Sequence, residues 1–318
     1  MRTPVIALLF LASACGEAQD PTSTASTGPL QTAANPTPAS TVAPISLPAK
    51  LDCLRENGGV LLIGHRGGPT RDYPENAIET FERTFNAGTP GMEIDIAQSK
   101  DGVLFLMHDD ELDRTSTGEG PISDRTWDEI SALKLETYTK VTDFAPPSLN
   151  DALAWAVRNN ALLELDKKRT ASFDPIVAAV REVRAEDHVF IITYTDDQAV
   201  EVHHKAPDLM ITATIYSAAH LDELLARGVR PDRLVAWTGT ETPDPSLWKA
   251  LASRGIESAF GSLGPRGTSL DGKYWEDDNG EEYQALADDG LTVLVTDLTD
   301  KVSRQLAKLR QKSVACGF

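Results

Sequence analysis

Ionisable side chains stand at the ends of three early apolar runs of the chain. The first run, "VLLIG", leads into His65 and Arg66, the second, "MEIDI", contains Glu93 and Asp95, and the third, "VLFLM", leads into His108. A lone histidine at the end of a strand is usually structural, but a pair of imidazoles accompanied by acidic and basic groups suits proton transfer at neutral pH. The pattern predicts acid–base chemistry, provided that the fold brings these positions together.

The two acidic residues of the second run predict a metal site. Glu93 and Asp95 are two positions apart, so on a strand both carboxylates project to the same face, while Ile94 and Ile96 fill the other. Buried carboxylates require a positive partner, and ligands that offer only oxygen favour a hard cation such as Ca²⁺ or Mg²⁺ over zinc. The alternative is a pair of solvent-facing carboxylates on an edge strand.

The charge of the whole chain limits the class of ligand. With 30 basic and 48 acidic side chains, the formal net charge of −18 argues against a general nucleic-acid binder. An anionic ligand would need local cations, and Arg66 and Lys168 could bind phosphate oxygens. Gly67 and Gly68 would let the backbone turn sharply after Arg66 and approach a ligand closely.

The elements that must position these residues alternate between strand and helix. Nine short apolar runs are interspersed with amphipathic stretches, which favours a parallel sheet closed into a (β/α)8 barrel, with an open doubly wound sheet as the alternative. Nine strands are one too many, and the link "AQSKDG" is too short for a parallel crossover, so one of the strands that it joins should depart from the barrel pattern. Residues 109–147 are expected to form an excursion over the catalytic face. Helices are predicted at 77–87, 149–158, 174–183, 218–227, 245–254 and 283–288.

The N-terminal region is typical of an exported protein. Residues 1–14 form a short apolar signal that is too short to span a bilayer, and "LASAC" resembles a bacterial lipobox ending at Cys15, the expected site of lipidation. An ordinary secretory signal is the alternative. Residues 15–50, rich in Ser, Thr, Ala and Pro, are predicted to be a tether that anchors a folded domain, residues 51–318, in the cell envelope.

The two remaining cysteines lie near the ends of that predicted domain. In an oxidising compartment, Cys53 and Cys316 are expected to form a disulfide, with two separate thiols as the alternative.

The ordered motifs of the chain resemble those of the glycerophosphodiester phosphodiesterase family. "HRGG", "YPENAIETF" and "GMEIDIAQSKDGVLFLMHDDELDRTSTGEG", all between His65 and Gly120, are similar to the family motifs HRG, PENT, E-x-D, DG, HD and LDRTT. "FGSLG" and "VTDLTD" resemble its closing strands, so the likeness covers roughly Val60 to Asp300. It implies a distorted TIM barrel of the phospholipase C-like phosphodiesterase type, with a small insertion after the third strand.

The resemblance also implies an activity and a set of roles. The expected reaction is hydrolysis of a glycerophosphodiester to glycerol 3-phosphate and an alcohol, with a divalent metal. His65 and His108 would be the acid–base pair, Glu93 and Asp95 metal ligands, and Arg66 a phosphate contact. The alternatives are a phosphodiesterase acting on lysophospholipids or envelope polymers, and a non-catalytic envelope lipoprotein. Trp237 could line a pocket for the alcohol, although core packing explains it equally well.

Two departures from the family pattern affect the candidate site. Asn76 is followed by Ala77 instead of a hydroxyl residue, and Asn76 itself could cap the next helix. The family motif Glu-x-Lys, which supplies a third metal ligand and a phosphate contact, is replaced by "LELDKK". The register that keeps the cation assigns these roles to Asp166 and Lys168, with Glu164 as the alternative ligand.

Overall fold

The computed structural model describes residues 45–265 and 267–318, and its central feature is a closed parallel barrel. The strands follow one another in the order β1, β9, β8, β7, β6, β5, β4, β2, and β1 pairs with β2 to complete the ring. The predicted (β/α)8 barrel is therefore confirmed, and the open doubly wound alternative is wrong. The strands are β1 Leu61–Gly64, β2 Gly91–Gln98, β3 Leu104–Leu106, β4 Leu162–Lys167, β5 Val189–Thr193, β6 Met210–Thr214, β7 Leu234–Trp237, β8 Glu257–Gly261 and β9 Val293–Thr296.

The ninth strand accounts for the surplus apolar run. β3 pairs antiparallel with the end of β2, with Ile96 opposite Leu106, and lies outside the ring of eight. The short link between β2 and β3 permits only this hairpin, since a parallel crossover needs a dozen or more residues. The predicted departure from the ideal barrel is thus confirmed. Because β3 runs back along β2, the Met107 N–H donates to the Asp95 carbonyl, and His108 follows next to Asp95.

Helices connect the parallel strands, and their apolar faces pack on the outside of the barrel. The six predicted helices are observed within two residues of their expected ends. Capping fixes several starts: the Ser148 side chain accepts a hydrogen bond from the Asp151 N–H at the beginning of α4. The helices are α1 Leu47–Asn57, α2 Ile78–Asn86, α3 Trp127–Ser131, α4 Leu149–Asn159, α5 Phe173–Val183, α6 Asp196–Lys205, α7 Ala218–Ala226, α8 Pro245–Ala252, α9 Leu270–Tyr274, α10 Glu281–Asp288, α11 Thr299–Gln305 and α12 Ala307–Ala315.

The insertion after the third strand is present between β3 and α4. It contains α3 and isolated bridges that join Ser116 to Leu135 and Glu136 to Val141. Its apolar side chains Leu112, Ile122 and Ile130 form a small core with Phe105 and Met107. The insertion is therefore packed against the end of β3, next to His108.

The folded domain begins earlier than the sequence suggests. Helix α1 starts at Leu47, and Leu47, Leu51 and Leu54 are buried in a cluster with the first residues of several barrel strands, including Leu61 and Met210. Residues 47–50, predicted to belong to the tether, are thus part of the domain, because the leucine spacing gives the helix a buried face. The helix covers the N-terminal end of the barrel.

The first and last helices are linked covalently. Cys53 on α1 and Cys316, which follows α12, form a disulfide with Cα atoms 5.6 Å apart. The signal at 1–14, Cys15 and most of the predicted tether lie outside the described residues. Within the described part of the chain, every helix is too short or too polar to cross a bilayer.

Candidate active site

His65 begins the turn that follows β1, and a carboxylate from the last strand end orients it. Its Nδ1 lies 2.7 Å from Oδ1 of Asp297, which directly follows β9, the neighbour of β1 in the ring. Burial would raise the pKa of Asp297, but the hydrogen bond and charge of His65 and the N–H of Gly264 hold that pKa below its usual range. With Nδ1 engaged, Nε2 is left for the cavity, where it lies 4.0 Å from Glu93 Oε2.

The glycines after His65 are required by the turn. Arg66, Gly67 and Gly68 all have positive φ, at 50°, 81° and 78°, a conformation that glycine adopts without strain. A Cβ at Gly67 would overlap the ring of Phe81. The sharp turn is as expected, but the close approach is to Phe81 of α2. The turn also directs the Arg66 N–H to Glu93 Oε2, at 2.8 Å.

Three buried carboxylates meet at the ends of β2 and β4. Glu93 and Asp95 project from β2, and Asp166, the register neighbour of Asp95, projects from β4. One oxygen from each lies within 4.8 Å of the others, and the exposed fractions are 6%, 1% and 4%. Burial, reinforced by the charges of Asp95 and Asp166, raises the pKa of Glu93 well above its usual value.

The donor set of this triad fits a divalent cation. All the ligand atoms are carboxylate oxygens, which are typical of Ca²⁺ and Mg²⁺ sites. Among the described residues, Oδ1 of Asp166 is buried without a hydrogen-bond partner, which is costly for an acceptor unless another group binds it. The residues present therefore fit a metal of this class.

Glu164 lies next to the triad but is not part of it. It is paired in register with Glu93, yet its Oε1 accepts a hydrogen bond from the Thr212 hydroxyl, at 3.0 Å, on the far side of β5. Burial raises its pKa to about 7. The structure thus groups Asp166, and not Glu164, with Glu93 and Asp95.

Lys168 is the cation nearest to the triad. Its Nζ lies 2.5 Å from Asp95 Oδ1 and 2.6 Å from Asp166 Oδ2. Burial would lower the pKa of Lys168, but the two carboxylates raise it overall. Burial would likewise raise the pKa of Asp95, and Lys168 and Asn76 together hold it below its usual value.

Asn76 does not cap the following helix, so that expectation is wrong. Its φ of 58° turns the side chain toward β2, and the N-cap of α2 is Ala77. The Asn76 side-chain N–H donates to Asp95 Oδ2, at 2.7 Å, and its oxygen accepts the Asp95 backbone N–H, at 3.0 Å. Asn76 therefore orients one of the triad carboxylates.

His108 is also oriented by a carboxylate, through a network that sequence reasoning missed. Its Nδ1 lies 2.6 Å from Oδ1 of Asp109. Arg114 donates to Asp109 and, at 2.8 and 2.9 Å, to both oxygens of Glu75, which also accepts from Arg66. Hydrogen bonds to Arg114 hold the pKa of Asp109 well below its usual range. The only sequence signal was that Glu75 and Arg114 lie within the motifs "YPEN" and "LDRTSTG".

The two histidines, the triad, Glu164 and Lys168 open into one cavity of about 230 Å³ at the C-terminal end of the barrel. The lining residues that come from β1 to β4 are ionisable, whereas those from β5 onward carry no charge at neutral pH and combine hydroxyl groups with apolar side chains such as Trp237. The site of a (β/α)8 enzyme lies at this end of its barrel. The lining residues are His65, Glu93, Asp95, His108, Glu164, Asp166, Lys168, Ile192, Thr193, Tyr194, Thr212, Thr214, Trp237, Leu263 and Val295.

Comparison with known proteins assigns the chain to a family. The sequence profile of the glycerophosphoryl diester phosphodiesterase family matches residues 65–256. The chain belongs to this family. The sequence-based expectation of a glycerophosphodiester phosphodiesterase-type enzyme is thereby confirmed.

Individual members of the family resemble the chain over much of the barrel. A glycerophosphodiester phosphodiesterase from Caldanaerobacter subterraneus is 30% identical over 158 residues, which are 48% of this chain and 65% of that protein. A glycerophosphoryl diester phosphodiesterase from Parabacteroides distasonis has a crystal structure that matches with a TM-score of 0.68 and 28% identity, over 79% of this chain and 87% of that one. An Oleispira antarctica phosphodiesterase, solved in complex with the product sn-glycerol-3-phosphate, shares the fold, with a TM-score of 0.60, 18% identity and coverage of 80% and 99%.

Proposed function

We propose that the chain hydrolyses glycerophosphodiesters to glycerol 3-phosphate and an alcohol, and that it does so with a divalent metal. The observation that carries this proposal is that two histidines, each with a carboxylate on Nδ1, share one cavity with three clustered carboxylates. Membership of the family supports the reaction class. The Oleispira antarctica phosphodiesterase bound to sn-glycerol-3-phosphate supports the identity of the product.

The triad would hold the metal, and the neighbouring cations would bind the rest of the phosphate. Glu93, Asp95 and Asp166 would be the ligands of Ca²⁺ or Mg²⁺, which when bound would neutralise charge that develops on the phosphate oxygens. Lys168 Nζ lies at the edge of the triad, where it can contact a phosphate oxygen as a point charge. Arg66, held by Glu75, has its Nε 3.8 Å from Asp95 Oδ2, so that its guanidinium also lies beside the triad.

The two histidines would move the protons. Each Nδ1 is paired with a carboxylate, Asp297 for His65 and Asp109 for His108, which fixes the ring and leaves Nε2 as the working nitrogen. One imidazole would take the proton of the substrate's glycerol 2-hydroxyl as it attacks the phosphorus, and the other would protonate the alkoxide that leaves as the alcohol. Water would then open the resulting cyclic phosphate to give glycerol 3-phosphate. Both residues line the same cavity, so that both can act on one bound diester.

We also propose that the enzyme is exported and held in the cell envelope by a lipid on Cys15. The support is the sequence alone: a short apolar signal, the residues "LASAC", and a Ser/Thr/Pro-rich segment before the domain. Palmitate labelling of the wild-type chain, lost in Cys15→Ser, is the expected result. Equal labelling of the two would contradict the proposal.

Release of glycerol 3-phosphate tests the proposed reaction. The purified full chain is given glycerophosphocholine and glycerophosphoethanolamine, first with a chelator and then with added Ca²⁺ or Mg²⁺. We expect metal-dependent release that His65→Ala lacks and that His204→Ala, a change at an exposed position on α6, retains.

The other outcomes separate the alternatives. Release that survives complete chelation would contradict the metal-dependent mechanism. If a folded, metal-loaded chain releases nothing from either diester, turnover of lysophospholipids or envelope polymers would identify a different substrate. Binding of a diester without turnover would identify a non-catalytic lipoprotein.

A further inference from the structure

We propose that Tyr194 is a positioning residue that holds Asp166 in the orientation needed for metal binding. This inference rests on the metal site of the proposed function. Tyr194 is the first residue after β5, the strand next to β4, and its hydroxyl donates to Asp166 Oδ2 at 2.8 Å. No motif of the sequence pointed to this tyrosine.

The two carboxylate oxygens of Asp166 have different hydrogen-bonding environments. Oδ2 accepts from both the Tyr194 hydroxyl and Lys168 Nζ, at 2.8 and 2.6 Å. Oδ1 is buried and has no partner in the described part of the chain. Two donors on one oxygen fix the rotation of the carboxylate about the Cβ–Cγ bond, so that the other oxygen is available to a metal ion.

Lys168 alone cannot fix this orientation. Its ammonium group is shared with Asp95, at 2.5 Å, and it stands on a flexible four-carbon stem. The tyrosine is rigid by comparison and approaches from a different strand. Tyr194 therefore sets the orientation of the Asp166 carboxylate, and Lys168 supplies the positive charge beside it.

The backbone around Tyr194 is itself held in place. The Tyr194 N–H donates to the side-chain oxygen of Gln198, at 2.8 Å, and the Gln198 N–H donates to the Thr195 hydroxyl at the beginning of α6. The turn between β5 and α6 thus fixes the base of the tyrosine. Tyr194 is 60% exposed at the mouth of the cavity, while its hydroxyl reaches Asp166.

The loss of such a partner should be measurable as a loss of metal affinity. Removing a group that hydrogen-bonds a metal ligand typically weakens metal binding by about 10- to 100-fold. Tyr194→Phe removes one oxygen and keeps the ring, so we expect this range for Ca²⁺ or Mg²⁺ without a change in fold.

The experiment is calorimetric titration of the chelator-treated full chain with Ca²⁺ and with Mg²⁺. Wild type is compared with Tyr194→Phe and with Tyr216→Phe, the same substitution just after β6, where the exposed ring stacks on His220. Tyr216→Phe should bind the metal as wild type does. Thermal unfolding of the metal-free proteins, measured in parallel, should give the same midpoint for all three.

The results distinguish this inference from the proposed function. If wild type binds metal and Tyr194→Phe binds it with the same affinity, the positioning role is wrong and the proposed function stands. A lower unfolding midpoint with unchanged metal affinity would show that the tyrosine is only structural. If wild type itself binds neither metal, the metal-dependent function fails together with this inference.

Discussion

The disulfide between Cys53 and Cys316 should contribute a large part of the stability of the domain. The two cysteines are 263 residues apart in sequence, and a cross-link over a loop of that length lowers the entropy of the unfolded chain by an amount equivalent to about 5.6 kcal/mol at 25 °C. Measured contributions reach about 5 kcal/mol, so we expect a loss of about 3 to 5 kcal/mol when the bond is removed. The folded state should change little, because the buried leucines of α1 hold that helix against the barrel.

The measurement is urea unfolding of three samples. They are the oxidised full chain, the same protein after reduction, and the Cys53→Ala/Cys316→Ala variant. The reduced protein and the variant should both show the lower free energy of unfolding, and agreement between them separates the cross-link from the packing of the buried Cys316 sulfur. Thiol titration should find two additional thiols on reduction. A loss below about 1 kcal/mol would refute the chain-entropy reasoning, and two freely titrating thiols in the untreated protein would refute the pairing.

Three further predictions concern the site and the turn beneath it. His108→Ala should lower kcat by about 10²- to 10⁴-fold with an unchanged circular dichroism spectrum, and a loss under about threefold would argue against proton transfer by this residue. Gly67→Ala should lower the free energy of unfolding by about 1 to 3 kcal/mol more than Gly102→Ala, since both have positive φ but only Gly67 faces the ring of Phe81; equal losses in urea titrations would contradict the overlap. Because the folded pKa of Asp109 is depressed, its interaction with Arg114 stabilises the fold fully above the unfolded pKa of about 3.9 and is lost as the pH falls toward the folded value. Asp109→Asn should therefore lose less stability than wild type between about pH 5 and pH 2, and parallel acid-unfolding curves would contradict this assignment.

Much of the fold could be predicted because it follows from local patterns in the sequence. Apolar runs of strand length alternate with amphipathic helices, and the short link before β3 permits only a hairpin. The grouping of His65, Glu93 and Lys168 followed from one rule, namely that the ends of parallel strands in a barrel lie together. His108 reaches the site differently, because the antiparallel β3 runs back along β2 toward Asp95. The start of the domain was placed too late because residues 47–50 end a segment whose composition is that of a tether.

The supporting residues could not be predicted because they act over distances that sequence spacing does not reveal. Asp297 lies 232 positions from the histidine that it orients, and Tyr194 lies 28 positions from Asp166. Asn76 was misassigned because a residue before a helix is ordinarily a cap, whereas its positive φ directs the side chain to Asp95. Such roles depend on backbone angles and on which strands become neighbours.

Helix α1 determines the side from which the chain enters the barrel. The Leu47 N–H donates to the Asp187 side chain just before β5, at the end of the barrel opposite to the cavity. The first described residues therefore lie at the end of the barrel opposite to the cavity, where they leave its mouth open.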